Sequence, residues 1–292
     1  MHECRVIAPA KINLSLDITG RRHDGYHFLS MIMHSVALHD HLTLTRIDCE
    51  AVELHCYSER GELPIGDDNL VVRAAKQFFA HQGITGAGVR IQLVKEIPMQ
   101  AGLGGGSADA AAALVGLNEL FDSKLDTRAL CELGLTLGAD VPFCIVGGAA
   151  LAEGIGEILQ PLPTLPECYI VIAKPNAGIS TVEAYARYDA SPALDRPDND
   201  ALAAALIAGN LTEVGRLMRN VFEAVCPLPE VAQIKSVMLA EGALGALMTG
   251  SGSAVFGLFS DKSDAKHCFA RLKEQVDEVF LTTPCAHGAV LQ

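Results

Sequence analysis

A glycine-rich segment in the first half of the chain has the composition of an anion-binding loop. It reads Pro-Met-Gln-Ala-Gly-Leu-Gly-Gly-Gly-Ser over residues 98–107, and an alanine-rich, helix-favouring run follows it directly. Ser107 is of a type that favours the N-cap of such a helix. Backbone amides at a helix N-terminus, together with the positive end of the helix dipole, attract a phosphate. A plain glycine-rich turn before a helix is the alternative.

The segment matches neither of two common phosphate-binding motifs. A Walker loop ends in Gly-Lys-Ser/Thr, and no lysine lies between Lys95 and Lys124. A dinucleotide-binding fingerprint that began at Gly102 would need glycine at position 107, where this chain has serine. The sequence therefore indicates a different kind of phosphate loop.

Two further segments carry side chains suited to proton transfer or charge stabilisation. Lys11 and Asn13 stand two residues apart in an alternating segment, so a strand there points both side chains to one face. That face is either functional or merely solvated. Asp140 follows the end of a predicted helix and precedes a proline among apolar residues, and it is either a capping acid or a catalytic base.

Two turns complete the set of polar candidates. Residues 20–27 form a basic turn that ends in Tyr26 and His27, and a simple hairpin loop explains it as well. Residues 248–257 form a turn of small residues that either packs tightly or closes over phosphates or the reacting hydroxyl. The scattered histidines at positions 34, 39, 41 and 55 are interpreted as structural or exposed side chains, not as ligands.

Taken together, these segments resemble one known group of enzymes. Pro-x-x-x-Gly-Leu-Gly-Gly-Gly-Ser-Ala resembles the ATP loop of the galactokinase, homoserine kinase, mevalonate kinase and phosphomevalonate kinase (GHMP) superfamily. Pro-Ala-Lys-Ile-Asn-Leu, Arg-x-x-Asp-Gly-Tyr-His and Gly-Ala-Asp-Val-Pro-Phe resemble a family within it whose substrate is a cytidine diphosphate-linked methylerythritol. The similarity runs from Ala8 to Gly257, with no departure at the catalytic positions.

The resemblance implies a two-domain α+β GHMP kinase fold with the active site in the cleft between the domains. It implies transfer of a phosphoryl group from ATP, with Mg²⁺, to the 2-hydroxyl of the methylerythritol moiety. Asp140 would accept the hydroxyl proton or orient the hydroxyl, and Lys11 would hold Asp140 ionised and stabilise the reacting oxygen. The implied ATP-binding residues are Asn69, Lys95, Pro98, Gly102, Leu103, Gly104, Gly105, Gly106, Ser107 and Ala108.

The resemblance also implies where the substrate and the metal ion bind. Tyr26 and Tyr185 would sandwich the cytosine ring, and His27 would read its edge. Asn13 and Thr181 match substrate-contacting positions, and Ser107 would be the protein contact of a Mg²⁺ that arrives with ATP. Two alternatives stay open: another kinase of the superfamily, which would not need the Asp-Gly-Tyr-His segment, and a nucleotide-binding sensor without catalysis. The intact Lys11 and Asp140 argue against the sensor.

The glycine loop and the other candidate segments must be positioned by the strands and helices of the chain, which follow one another without a regular order. Hydrophobic periodicity predicts strands at 12–18, 36–47, 89–94, 169–173, 254–259 and 279–283, and helices at 69–81, 107–121, 126–137, 181–189, 200–207, 210–224, 229–240 and 262–276. Three prolines between positions 161 and 166 indicate a linker. We therefore expect an ATP-binding domain over 1–163 and a C-terminal domain over 164–292.

Composition and charge narrow the classes of function. The 292 residues suit two domains, and the net charge of −13 argues against nucleic acid or an anionic membrane as the partner. No apolar run approaches the roughly 20 residues of a membrane-spanning helix, and no signal-peptide pattern is present. Nine scattered cysteines without a Cys-x-x-Cys pair favour free thiols over disulfides or zinc. Together with the resemblance, which implies a small-molecule kinase, these features lead us to expect a cytoplasmic protein, monomeric or weakly dimeric.

Overall fold

The computed structural model describes residues 2–23, 25–59, 61, 63–191 and 195–292. The strands in this part of the chain are β1 (Glu3–Arg21), β2 (His27–Ile47), β3 (Val52–Tyr57), β4 (Gly88–Val94), β5 (Ala149–Gly154), β6 (Ile158–Leu162), β7 (Tyr169–Lys174), β8 (Arg219–Asn220), β9 (Gly245–Met248), β10 (Val255–Phe259), β11 (Glu278–Thr282) and β12 (Val290–Leu291). The helices are α1 (Leu70–Gln82), α2 (Gly105–Leu120), α3 (Thr127–Leu135), α4 (Val141–Val146), α5 (Thr181–Asp189), α6 (Asn199–Ile207), α7 (Leu211–Leu217), α8 (Pro229–Ala240) and α9 (Lys262–Lys273).

The larger of two sheets is built around the long antiparallel pair β1 and β2. Its order is β12-β1-β2-β4-β3, while β5 pairs with β2 and β6, and β8 runs parallel to β1. The pairing register of β1 shifts between Pro9 and Lys11 and again between Asn13 and Ser15. Irregularities of this kind bend a strand and re-aim its side chains, so they flank the two polar residues that the sequence singles out.

Helix α2 lies at the centre of the larger core. Its residues from Ala108 to Leu114 are all buried, because the helix packs against β1, β2, α1 and α4. Small side chains allow this close approach: a Cβ on Gly116 would lie 2.7 Å from Leu44 Cδ1. The alanine run therefore holds the N-terminus of α2 in a fixed place beside β1.

The smaller sheet has the order β11-β7-β10-β9, and every neighbouring pair in it is antiparallel. Helices α8 and α9 pack on it, and a second hydrophobic core forms around Phe259, Met238 and Leu272. In the described residues, no helix combines the length and the apolar character needed to cross a bilayer.

The predicted fold class is confirmed: helices and sheets are mixed in both halves of the chain. Most predicted elements have a counterpart, but several bounds differ. The strands predicted at 12–18 and 36–47 are parts of the longer β1 and β2, and the bounds of several helices also differ. The helix predicted over 210–224 ends at Leu217, because the chain then turns to pair as β8 with β1. The helix after the glycine loop begins at Gly105, two residues before the predicted Ser107. The domain boundary at 163 stays a prediction.

Candidate active site

A cleft of about 1360 Å³ gathers residues from both sheets and from the glycine loop. Most of the site residues suggested by the sequence line it, namely Lys11, Asn13, Asn69, Lys95, Pro98, Gly102, Leu103, Gly104, Gly105, Gly106, Ser107, Asp140, Thr181 and Tyr185. Three others lie outside this lining. Ala108 is buried inside α2, whereas Tyr26 and His27 stand at the start of β2.

Lys11 and Asp140 meet in this cleft. Lys11 Nζ lies 3.5 Å from Asp140 Oδ2 and donates a hydrogen bond of 2.7 Å to Asn13 Oδ1. Lys11 and Asn13 are both buried, so the alternative of a solvated strand face is wrong. The Asp140 side chain is 32 % exposed and can be reached from the cleft.

The position of Asp140 tests the interpretation of this residue as a capping acid. It occupies the N-cap position of α4, but its side chain makes no capping hydrogen bond within the described part of the chain. The carboxylate is instead directed toward the Lys11 ammonium. The capping interpretation is therefore wrong. The catalytic interpretation stays a prediction, for which a partly exposed carboxylate beside a buried cation is a suitable arrangement.

The glycine loop is hydrogen-bonded to both sides of the cleft. The N–H of Lys11 on β1 donates to Leu103 O at 3.0 Å. On the other side, the N–H of Ala254 donates to Ala101 O at 3.2 Å. The backbone before α2 is therefore held from both sides, which positions the first amides of the helix.

Two of the loop glycines are required by their surroundings. Gly102 and Gly104 have φ angles of 74° and 68°, which disfavour other residues. A Cβ on Gly102 would lie 2.1 Å from Thr249 O, and one on Gly104 would lie 2.9 Å from Lys11 Cγ. The left-handed backbone and the close contacts with Thr249 and Lys11 thus account for these two glycines.

The first turn of α2 remains open to the cleft. Gly104 is the N-cap, so Ser107 lies inside the helix and the prediction of a serine cap is wrong. Gly106 is exposed, and a Cβ there would only touch Leu70 Cδ1 at 3.6 Å. The first N–H groups of a helix have no intrahelical acceptor, so this turn offers donors and a positive dipole end to an anion.

Thr249 connects the small-residue turn to the larger sheet, a role that the sequence analysis did not assign. Its Oγ1 accepts a hydrogen bond of 3.0 Å from the N–H of Asn13 and donates one of 3.2 Å to Gly102 O. The side chain of Asn220 also holds this turn, because its Nδ2 donates to Met248 O at 2.7 Å and to Gly250 O at 2.8 Å. These hydrogen bonds support the tight-packing alternative for residues 248–257, and closure of this turn over phosphates or the reacting hydroxyl stays a prediction.

Lys95 lies in a buried cluster of charges rather than free in the cleft. Its ammonium donates to Asp109 Oδ2 at 2.7 Å and to Asp40 Oδ2. The other oxygen of Asp40 accepts the N–H of Ile97 at 2.8 Å. Burial raises the pKa of the Asp109 carboxyl well above its usual range, and the Lys95 charge only partly opposes this shift. Sequence reasoning assigned no role to either aspartate: Asp40 lies outside the motifs, and Asp109 enters only as part of the helix-forming run after the glycine loop.

Asn69 also has structural partners. Its Oδ1 accepts the N–H of Val71 at 2.9 Å and so caps α1, while its Nδ2 donates to Pro64 O at 2.8 Å. Since both ends of this amide are engaged within the protein, the ATP contacts suggested for Asn69 and Lys95 stay predictions.

Aromatic rings form one wall of the cleft. The His27 ring stacks on Tyr185 with the centroids 4.7 Å apart and the planes 19° apart. Phe222 meets Tyr185 edge-on, with the centroids 4.9 Å apart. Burial raises the pKa of the Tyr185 hydroxyl to about 12. Tyr26 is 64 % exposed, and one face of Tyr185 is covered by His27, so the predicted Tyr26–Tyr185 sandwich stays a prediction.

Comparison with protein families places this cleft in a known group. The model of the GHMP kinases N terminal domain matches residues 69–148, which include the glycine loop and Asp140. The model of the GHMP kinases C terminal domain matches residues 202–278. A 4-diphosphocytidyl-2-C-methyl-D-erythritol kinase of Moorella thermoacetica is 46 % identical over 94 % of this chain and 96 % of the relative. One of Caldicellulosiruptor saccharolyticus is 43 % identical over 95 % of this chain and 96 % of the relative.

The chain belongs to the 4-diphosphocytidyl-2-C-methyl-D-erythritol kinase family.

Solved structures agree with this membership. A crystal structure of a 4-(cytidine 5'-diphospho)-2C-methyl-D-erythritol kinase is 35 % identical, covers 96 % of this chain and 98 % of its own, and has a TM-score of 0.81. A homoserine kinase from Cytophaga hutchinsonii, 22 % identical, has a TM-score of 0.80 over 100 % of this chain and 98 % of its own, which shows the shared fold alone. The resemblance found in the sequence segments is confirmed, and the protein is an ATP-dependent kinase with a small-molecule substrate.

Proposed function

We propose that this kinase transfers the γ-phosphoryl group of ATP to the 2-hydroxyl of 4-diphosphocytidyl-2-C-methyl-D-erythritol, giving the 2-phosphate and ADP in the non-mevalonate route to isoprenoid precursors. The relatives with 41 to 46 % identity carry the name of this activity. The single observation that carries the chemistry is the contact of 3.5 Å between Lys11 Nζ and Asp140 Oδ2 inside the cleft.

Asp140 and Lys11 act on the reacting hydroxyl. Asp140 accepts the proton of the 2-hydroxyl as the oxygen bonds to the γ-phosphorus and the bond from phosphorus to the β-phosphate oxygen breaks. The Lys11 ammonium, held by Asn13, stabilises the negative charge that develops at this oxygen. Phosphoryl transfer depends mainly on positioning and charge stabilisation, so a fixed pair of this kind supplies what the reaction needs.

The first turn of α2 binds the phosphates. Gly106 and its neighbours offer backbone donors, and the Ser107 side chain lines the same cleft. The described residues contain no cluster of three or more His, Cys, Asp or Glu side chains that would hold a resident metal ion. Mg²⁺ bound mainly through phosphates and water needs few protein ligands, so the site fits a nucleotide-borne Mg²⁺ with Ser107 as its protein contact. When bound, that ion neutralises phosphate charge.

The other end of the cleft holds the cytidine. We propose that Tyr26 and Tyr185 stack on the base and that His27 reads its edge. Thr181 Oγ1 lies 3.2 Å from Ser251 Oγ, so the start of α5 and the small-residue turn approach each other here. Asn13 contributes a polar group of β1 beside Lys11. Stacking and edge recognition suit a chain whose net charge of −13 disfavours binding by overall charge.

The remaining proposals concern the whole protein. Because the smaller sheet uses strands that begin after position 164, we propose domains at 1–163 and 164–292, although β8 and β12 join the larger sheet. The cysteines of the described residues are free thiols, which supports a cytoplasmic location. The acidic charge supports the absence of a nucleic-acid partner. A monomer or weak homodimer is the proposed state, which sedimentation measures.

Release of ADP with different acceptors tests the reaction. We expect rapid release with the cytidyl substrate and none with mevalonate or homoserine. Phosphorus NMR of the product should place the new phosphate on the 2-hydroxyl. Equal rates with cytidyl substrate and with methylerythritol phosphate, which lacks the base, would refute the assigned substrate. No release with any alcohol would instead favour the nucleotide-binding sensor.

A further inference from the structure

Asp189, the last residue of α5, touches the side chain expected to read the base. Its Oδ1 lies 2.8 Å from His27 Nε2, and its Oδ2 lies 3.5 Å from Arg21 Nη1. We propose that Asp189 is a positioning residue that fixes the tautomer and orientation of His27, and that it thereby sets the preference of the enzyme for a cytidine-linked over a uridine-linked substrate. The inference rests on the proposed function, because it needs a base beside His27.

The chemistry of the contact determines where the imidazole proton lies. An ionised carboxylate can only accept hydrogen bonds, so His27 Nε2 carries the hydrogen that it shares with Asp189. In the neutral ring, Nδ1 is then an acceptor. Within the described ranges of the chain, the side-chain hydrogen bond of His27 is made by Nε2 and not by Nδ1. The ring therefore has one acceptor left for a ligand.

Packing holds the ring in this orientation. The His27 side chain is only 9 % exposed, and its ring is stacked on Tyr185, which lines the cleft. A rotation of the ring by half a turn would preserve the stack but exchange each nitrogen for a carbon. Such a rotation would break the hydrogen bond to Asp189. Stacking on Tyr185 alone does not distinguish the two ring orientations, so the carboxylate selects one of them.

The position of the proton distinguishes the two pyrimidines. Cytosine has an amino donor at position 4, whereas uracil has a carbonyl acceptor there, as thymine does. When Nδ1 is an acceptor, it can receive a hydrogen bond from the amino group of cytosine. It forms no hydrogen bond with the carbonyl of uracil, because the lone pairs of two acceptors repel each other. The other tautomer would donate from Nδ1 and would favour uracil. The Asp189 carboxylate therefore selects the form of His27 that matches cytosine.

The test compares the cytidyl substrate with its uridyl analogue in wild-type enzyme, Asp189→Ala and Asp189→Glu. We expect Asp189→Ala to lower the ratio of kcat/KM for cytidyl over uridyl substrate by about 10-fold, the scale of one hydrogen bond to a charged group. The change should lie in KM for the pyrimidine substrate, with KM for ATP unchanged. Asp189→Glu should restore part of the ratio, since it keeps a carboxylate. Glu213→Ala, which removes an exposed acid paired with Arg216 on α7, is the control and should keep the wild-type ratio.

Nitrogen NMR of the ligand-free protein tests the tautomer without any substrate. We expect wild-type His27 to show a protonated Nε2 and an unprotonated Nδ1, and Asp189→Ala to show a mixture of tautomers. A protonated Nδ1 in the wild type, or an unchanged substrate ratio in a folded Asp189→Ala enzyme that retains its activity, overturns the inference and leaves the proposed function intact. A wild type that does not prefer cytidyl over uridyl substrate overturns both.

Discussion

Lys11 packs directly against Gly104, so the lysine of the candidate site and the glycine loop form one unit. A Cβ on Gly104 would lie 2.9 Å from Lys11 Cγ, and the N–H of Lys11 donates to the neighbouring Leu103 O at 3.0 Å. A change in the loop at this point therefore moves the ammonium that faces Asp140. The same relationship predicts that Gly104 and Gly106, two glycines of one loop, respond differently to substitution.

Gly106→Val and Gly104→Val should separate phosphate binding from lysine positioning. At Gly106, the new side chain meets no backbone of the protein but blocks the approach of a phosphate, so we expect KM for ATP to rise by about 10-fold or more with little loss of stability. Gly104→Val should also lower kcat and stability, because φ is 68° and Lys11 is displaced. Steady-state kinetics and urea unfolding measure both effects. An unchanged KM for ATP in Gly106→Val would contradict the assignment of the first turn to phosphate binding.

Asp140→Asn should remove the proton acceptor. We expect kcat to fall by roughly 100-fold or more, the usual scale for a general base, with little change in KM for either substrate. Asp122→Asn is a matched control, because Asp122 is an exposed acid that pairs only loosely with Lys124. Near-normal kcat in a folded Asp140→Asn enzyme would rule out the proposed role.

Tyr26→Ala should weaken binding of the base without unfolding the protein, since this ring is 64 % exposed. Stacking of a base on an aromatic ring contributes about 1–3 kcal/mol, so affinity for the cytidyl substrate should fall about 5- to 150-fold. Affinity for ATP should be unchanged. Calorimetry with each ligand makes the comparison, and equal losses for both ligands would argue against a specific contact with cytosine.

Lys95→Met tests whether the buried charge cluster supports the fold. Asp40 and Asp109 would be left buried without their cation, which costs about 3–5 kcal/mol of unfolding free energy. The control Lys76→Met removes an exposed ion pair with Asp67 and should cost at most about 1 kcal/mol. Urea unfolding at neutral pH measures both. If Lys95→Met were as stable as the control and raised only KM for ATP, Lys95 would be a ligand contact and not a structural one.

His34 should make the stability depend on pH. The ring is fully buried. Its Nδ1–H donates to Ser35 O at 2.6 Å and its Nε2 accepts the N–H of Leu165 at 2.9 Å, so the neutral form of the ring is required. Burial lowers its pKa from 6.5 to about 4. The unfolded chain therefore binds a proton at a pH where the folded chain does not, and stability falls as pH decreases from 6.5 toward 4.

The expected loss from His34 over this range is at most about 3 kcal/mol. Urea unfolding at several pH values should show this loss of unfolding free energy in the wild type. His34→Gln should make the unfolding free energy depend less steeply on pH, and the dependence that remains comes from other groups. A wild type and variant with the same slope would show that another group dominates the acid response.

Local patterns predicted the parts of the site that depend on local chemistry. The glycine loop, the Lys11–Asn13 spacing and the position of Asp140 after a helix were all visible in the sequence. What the sequence did not reveal depends on contacts between distant segments. Thr249, for example, is 236 positions from its partner Asn13, and Asp40 is 55 positions from Lys95. No periodicity encodes such pairs.

Errors in the predicted elements have a similar cause. Serine favours the N-cap of an isolated helix, but here α2 begins earlier because Gly104 adopts a left-handed conformation against Lys11. Periodicity over 210–224 favoured one helix, whereas the hydrogen bonds of Asn220 with the turn at Met248 and Gly250 draw the chain into β8. In both cases tertiary contacts decided against local preference.

The hydrogen bonds of Thr249 affect how far the cleft is ordered before a ligand binds. Its hydroxyl accepts from the backbone of Asn13 in one sheet and donates to Gly102 in the loop, while its own chain belongs to the turn that follows β9 in the other sheet. Opening the cleft as a hinge at this point would break both bonds. The polar groups of the candidate site are thus ordered without a ligand, and we expect little of the binding free energy to be consumed in arranging them.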